Sequence, residues 1–229
     1  MRIGIIVAME KEFRQLQQLF PHKNVRVEKC GIGKVNAALG AQRMINVFHP
    51  DIIISSGCAG GHGEGVNIQD VVVSTSLAYH DVYCGDAAGG TLYGQVQGMP
   101  ARFPADPVLL QKAQQLSTPN SSLGSGASPD EGLSPVRVHA GLIVTGDWFV
   151  DTKEKMREIV GHFPDARAVD MESAAIAHTC LLNKVRFISF RVISDLPLED
   201  VDASQYHNFW DTLADRSFHI TKTFVESIL

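Results

Sequence analysis

The residues of this chain best suited to chemistry are carboxylates placed where strands give way to loops or helices. Glu10 and Glu12 follow the first apolar run, Asp147 lies in TGDWFV, Asp170 and Glu172 open an Ala-rich segment, and Asp195 ends FRVISD. Taken one at a time, acids in such places are helix caps or solvated side chains; Asp147 and Asp151 are read that way. Taken together, acids from separate strand ends can converge on one cleft. One reaction open to such a set, with no metal, is cleavage of an N-glycosidic bond. A carboxylic acid would protonate the leaving base and a carboxylate would activate water. A third would stabilise the positive charge developing on the sugar. Acid and base need different surroundings, because one must hold its proton while the other has lost it.

Two Gly-rich stretches invite a nucleotide-binding reading and do not meet its requirements. Residues 57–65 read GCAGGHGEG. A dinucleotide fingerprint needs G-x-G-x-x-G opening a helix, whereas a strand follows here. GIGK at 31–34 lacks the upstream glycine and the Ser or Thr of a phosphate-cradling loop. Both are read as tight turns, with the further option that a small ligand approaches the backbone at Gly57 to Gly61. His62, His80 and His178 match no recurrent ligand spacing and are read as surface or hydrogen-bonded core histidines.

These groups must be positioned by strands and helices that alternate along the chain. Buried strands are expected at Ile3–Ala8, Asp51–Ser55, Gln69–Thr75, Val136–Thr145 and Arg186–Ile193, with a short alternating strand at Val25–Lys29. Helical periodicity covers Glu10–Phe20, stopped by Pro21, and Lys34–Phe48. Asp106 to Leu116 reads as a helix with Asp106 as N-cap and Pro107 at its first position. Further helices are expected at Asp151–His162, capped by Asp151, at Met171–Asn183, and as one long C-terminal helix from Ala203 to Leu229. Asp81–Pro104 reads as irregular loop, and Thr118–Pro135 as an exposed, mobile one. The pattern implies an α/β fold, a three-layer α/β/α arrangement around a mixed sheet, whose ligands lie at the carboxyl ends of strands.

Composition sets the remaining bounds. The 229 residues are 45% hydrophobic and 20% charged, ordinary for a globular domain. One domain over residues 1–229 is expected, with a flexible loop around 118–135. A net charge of −5 argues against a nucleic-acid binder that works through bulk positive charge. The four cysteines, widely spaced and with no CxxC pair, give no disulfide framework or zinc ribbon. No apolar stretch reaches the ~18 residues of a membrane span, and the N-terminus lacks the plan of a signal peptide. A cytoplasmic setting is expected.

IGIIVAMEKE, GIGKVNAALG, SSGCAGG, TGDWFV, VDMESAAIAH and FRVISD occur in this order. In that order the chain resembles the methylthioadenosine/S-adenosylhomocysteine nucleosidase family over nearly its whole length. DMES and ISD belong equally to the wider nucleoside phosphorylase superfamily; the start AMEKE is closer to the hydrolases. The resemblance implies a partly barrel-like central sheet, an adenine nucleoside as substrate, no cofactor, no metal, and a homodimer. It implies Glu12 as the base that activates water and Asp195 as the acid at purine N7. Glu172 would grip the ribose hydroxyls, with Met171 packed on the sugar. Phe149 would stack on adenine and the Val150 backbone would meet its edge. Ala8, Met9 and the turn residues Cys58, Ala59 and Gly60 would line the site, while Arg191 and Ser194 would support Asp195.

Three features depart from the family pattern. Cys58 stands where Ser is usual, the segment from Phe20 to Gly31 is short, and Thr118–Pro135 resembles an insertion. The 5′ pocket of the family borrows residues from a neighbouring subunit, for which Tyr93 and Met99 are the nearest candidates. Three alternatives stay open: a nucleosidase acting on aminodeoxyfutalosine, a phosphorylase of the same fold using Arg14 or Arg43 for phosphate, and a catalytically silent nucleoside binder.

Overall fold

The computed structural model describes residues 1–85, 89–116, 136–199, 204–212 and 218–229. Among them are eight strands and seven helices. They run in the order β1 (Ile3–Val7), α1 (Glu10–Leu19), β2 (Val25–Lys29), α2 (Lys34–Phe48), β3 (Ile52–Gly61), β4 (Val71–Tyr79), β5 (Phe103–Pro104) and α3 (Pro107–Gln115). The second half contains β6 (Val138–Thr145), α4 (Lys153–His162), β7 (Ala166–Asp170), α5 (Ser173–Asn183), β8 (Arg186–Asp195), α6 (Ser204–Thr212) and α7 (His219–Ile228).

All eight strands belong to one mixed sheet, as the alternation of elements predicts. Five of them close on themselves. β3 pairs with β7, β7 with β6, β6 with β4, β4 with β8, and β8 returns to β3. β1 and β2 extend the sheet beyond β3 in parallel, and β5 adds an antiparallel edge to β4. The alternation of side chains explains how helices cover the sheet from both sides. Ile3, Ile5, Ile52 and Ile54 join one core with Leu16 of α1 and Phe224 of α7. Their neighbours Ile6 and Ile53 face a second core with Met44 of α2 and Ile176 of α5.

The stretch Gly57–Gly61, expected as a turn, is the end of β3. It carries an irregularity at Ala59/Gly60, pairs with β8 and, through Gly60 and Gly61, with β7. One strand must serve two partners to close the barrel, and that requires a bend. Bulk is excluded there as well: a Cβ at Gly61 would come 2.7 Å from Ile193 Cγ2. β7 was not anticipated from the sequence. α4 starts at Lys153 and is capped by Thr152, whose Oγ1 accepts from Lys155 N at 3.3 Å, in place of Asp151.

Of the expected single C-terminal helix the described residues hold α6 and α7, with residues 213–217 outside the described set. Phe209 and Phe218 are both fully buried in one core. The cap expected for α3 is present, with Asp106 accepting from Val108 N and Leu109 N at 3.0 Å each. The expected loop at Thr118–Pro135 lies outside the described residues.

Candidate active site

The carboxyl ends of β1, β3, β6, β7 and β8 surround an open cleft. Twelve of the thirteen residues singled out in the sequence line it: Ala8, Met9, Glu12, Cys58, Ala59, Gly60, Phe149, Val150, Met171, Glu172, Ser194 and Asp195. Arg191 does not line it and lies behind the wall.

Glu12 is buried, and three backbone amides converge on it. Oε2 accepts from Ala8 N at 3.0 Å and Met9 N at 2.9 Å, and Oε1 from Cys58 N at 3.1 Å. The bond to Met9 is half of a capping box: Glu12 is the third residue of α1 and reaches back to the N-cap amide. One side chain therefore starts the helix, ties it to β3 and faces the cleft. Burial pushes its pKa up, against the pull of the Met9 amide and the charge of Arg191. Gly57 makes room for it, since a Cβ there would stand 2.8 Å from Oε1.

Glu172, the N-cap residue of α5, is also buried; its Oε1 accepts from Gly33 N at 3.0 Å. Burial and the neighbouring charge of Asp170 raise its pKa to about 8. Asp170 itself lines the cleft, a role its sequence reading as a helix-opening acid did not include. It accepts from the Thr145 hydroxyl, from Ser173 N at 3.0 Å and from Arg191 Nε at 2.6 Å.

Arg191 corrects an expectation. Its guanidinium donates to Asp170 and, through Nη2, to Ser55 Oγ at 2.9 Å, and Nη2 lies 3.9 Å from Glu172. The acids it supports are Asp170 and Glu172, not Asp195. The spacing accounts for this, because four residues along a strand span about 13 Å. Burial works against its charge, but Asp170, Glu172 and Glu12 hold its pKa above the ordinary value.

Ser194 does approach Asp195. Its hydroxyl lies 2.6 Å from Asp195 Oδ1 and 3.3 Å from the Ala59 carbonyl. Cys58 is held as a thiol, its pKa pushed well up by burial and by the nearby Glu12. Its contribution to Glu12 is the backbone N–H, which Ser or Cys supplies equally.

Phe149 is half exposed at the cleft and meets Tyr206 of α6 edge-on, with ring centroids 5.2 Å apart. The Tyr206 hydroxyl is 3.6 Å from Met9 Sδ, so this ring bridges two walls. Tyr206, Trp148, Ile32 and Val169 line the cleft without having been singled out in the sequence. Trp148 adjoins Phe149 and was available to inspection. Nothing local to Tyr206 signals that α6 turns toward the cleft.

Among the described residues that line the cleft, none is a lysine or arginine. Arg14 and Arg43, the possible phosphate ligands, pair on the surface with Glu10 at 2.9 Å and Glu28 at 3.2 Å. Tyr93 stacks on His162 at 3.7 Å, away from the cleft, and Met99 packs against the α2–α5 core. Among the histidines, His178 meets Tyr79 Oη at 3.1 Å, as a hydrogen-bonded core residue should. His80 differs: it is buried against Trp148, and neither ring nitrogen has a hydrogen-bond partner.

A profile of the Phosphorylase superfamily matches residues 2–226. The 5′-methylthioadenosine/S-adenosylhomocysteine nucleosidase of Exiguobacterium sp. is 37% identical, over 95% of this chain and 94% of its own length. The nucleosidase of that name from Neisseria meningitidis, solved with methylthio-immucillin-A, superposes with a TM-score of 0.85. It is 34% identical, with 99% of each chain covered. The enzyme of Colwellia psychrerythraea, solved with adenine, gives 0.84 at 30% identity, covering 99% of this chain and 95% of its own.

Proposed function

Because this chain belongs to the phosphorylase superfamily and, within it, to the 5′-methylthioadenosine/S-adenosylhomocysteine nucleosidase family, we propose that it hydrolyses the N-glycosidic bond of those two nucleosides. The products are adenine and the 5-thioribose sugar. The observation that carries the reading is Glu12, a buried carboxylate fixed by three amides at a cleft lined, among the described residues, by no cation. An acid there suits water and repels phosphate.

In the proposed cycle adenine stacks on Phe149, with its edge at the Val150 backbone and N7 at Asp195. The ribose hydroxyls donate to Glu172, and Met171, Ala8 and Met9 pack around the sugar. Asp195 supplies a proton to N7 as the N9–C1′ bond breaks. Glu172, Asp170 and Glu12 stabilise the oxocarbenium charge. Glu12 takes a proton from water as its oxygen bonds to C1′. Cys58, Ala59 and Gly60 form the wall beside this water, and Ser194 holds Asp195.

The protein acts as a cytoplasmic homodimer in methionine salvage. Ile32, just before α2, and Val35 and Leu39 on it, 51–70% exposed, form an apolar stripe continuous with the cleft rim. A second copy would cover it. Among the described residues no helix is long and apolar enough to cross a membrane.

The test is incubation of purified protein with methylthioadenosine, S-adenosylhomocysteine and inosine, with and without phosphate, following free base. Adenine release from the first two, independent of phosphate, is expected. Sugar phosphate that forms only with phosphate would transfer the reading to a phosphorylase, and no release at all would leave a binding protein.

A further inference from the structure

A charged cluster lies just outside the cleft and has no part in the cycle above. Lys34, the first residue of α2, places Nζ 2.8 and 2.7 Å from the two oxygens of Asp81. Its own amide donates to Asp147 Oδ1 at 2.8 Å, and the Asp147 amide donates to Asp81 Oδ2 at 2.8 Å. Nζ also stands 3.7 Å from Asp147 Oδ2. Three segments distant in sequence are thus joined through one lysine: the end of β4, the end of β6 and the start of α2. None of the three side chains lines the cleft.

The residue before Lys34 delivers the consequence. Gly33 donates its amide to Glu172 Oε1 at 3.0 Å. It does so from φ 92°, a conformation that favours glycine, and a Cβ there would stand 2.9 Å from Asp147 Oδ1. The direction of that amide is therefore set by where Asp147 and Asp81 hold Lys34. We propose that Lys34, clamped between Asp81 and Asp147, is a positioning residue that aims Gly33 N–H at Glu172 and so fixes the carboxylate that grips the ribose. The inference rests on the nucleosidase reading and adds a residue that acts on the sugar without touching it.

Lys34 is mostly enclosed, and without it two carboxylates would face each other at the turn. Lys34→Met should swing the turn away from Glu172, whereas Lys34→Arg retains the charge and should recover part of the effect. The reporting measurement is the ratio of kcat/KM for methylthioadenosine to that for its 2′-deoxy analogue. A mis-aimed Glu172 loses the gain from the hydroxyl, so the ratio should fall about tenfold, the size of one charge-assisted hydrogen bond. Affinity for free adenine should stay unchanged. Asp147→Ala, which removes the acceptor for the Lys34 amide and leaves the Lys34–Asp81 pair, should lower the ratio in the same direction; it serves if Lys34→Met does not fold by thermal melting. An unchanged ratio in a folded variant, or an equal loss on both nucleosides, overturns the proposal. Wild-type protein that turns over neither nucleoside overturns the nucleosidase reading, and this inference with it.

Discussion

Replacing Glu12 by Gln tests the assignment of the base with least change of shape. The carboxylate accepts two amides on Oε2 and one on Oε1. A glutamine would keep its oxygen toward Ala8 and Met9 and turn its NH2 against the Cys58 amide. That loses one bond and sets two donors face to face, a cost of about 1–3 kcal/mol. Removing a buried charge offsets part of this. At about 2–4 °C per kcal/mol for a chain of this size, the melting temperature should move by a few degrees. Activity should move far more, since loss of a general base costs about 10²–10⁴ in rate, or roughly 2.7–5.4 kcal/mol in barrier. Glu12→Asp separates position from basicity. It keeps an acid but withdraws it by about 1.5 Å, enough to break all three amide bonds, and should be nearly as inactive. The assay is kcat/KM for adenine release beside a melting curve. Turnover of Glu12→Gln within tenfold of wild type, in protein that melts normally, would remove Glu12 from the mechanism.

Three further outcomes are expected. Glu172 has a pKa of about 8 against an ordinary 4.5, so the ligand-free fold holds a proton that the unfolded chain releases. Its contribution to stability therefore falls as pH rises from about 4.5 to about 8 and is flat above. Ribose hydroxyls need the ionised form, so a 7-deaza nucleoside, which has no N7 to protonate, should bind more tightly as pH rises from 6 to 8, by up to about tenfold per unit; a flat profile in direct titrations contradicts this. Gly57→Ala places a Cβ 2.8 Å from Glu12 Oε1 and 3.3 Å from Arg191 Nη1, and should cut kcat/KM at least about tenfold with a small change in melting; near-normal turnover would show that Glu12 has slack. Asp170→Asn breaks a fully buried 2.6 Å pair with Arg191, at a cost of about 3–5 kcal/mol, so melting should drop by about 10 °C; an unmoved transition would mean that Arg191 finds other compensation.

The parts legible in the sequence are those whose environment is written in neighbouring residues. Ile3–Val7 and Ile52–Ile54 announce buried strands because every position is apolar, and they are covered on both faces. Glu12 and Asp195 are legible as site candidates because each follows or ends an expected strand, and Glu172 because it opens the Ala-rich helix. β7 is illegible for the opposite reason. Its residues Ala-Arg-Ala-Val-Asp carry three poor strand formers, the two alanines and the aspartate, and two charges, and its strand state comes from pairing with β6 and β3. Arg167 faces outward there, its side chain lying where a Cβ of Gly63 or Gly141 would otherwise sit. The partner of Arg191 and the arrival of Tyr206 depend likewise on closure of the barrel and the path of α6, which no local pattern contains.

That closure also explains how so many acids tolerate one another. Glu12, Asp170 and Glu172 surround the buried cation Arg191, so full ionisation would leave a net charge of −2 on largely buried groups. Asp170 is neutralised directly by its 2.6 Å pair, and Glu12 is held by three amides. Among the described residues Glu172 has the Gly33 amide and a 3.9 Å approach to Arg191, and it is the acid whose pKa rises to about 8. Burial raises the pKa of Glu12 as well, so the resting site masks its surplus negative charge with a proton held among these buried acids, on Glu172 below about pH 8. Hydroxyl donors from a sugar would favour loss of that proton, exposing the charge beside the ring when C1′ becomes cationic. A binding protein would gain nothing from this arrangement, since a neutral nucleoside could be held by amides alone. A catalyst gains a field fixed by the fold before the substrate arrives and strongest as the bond breaks.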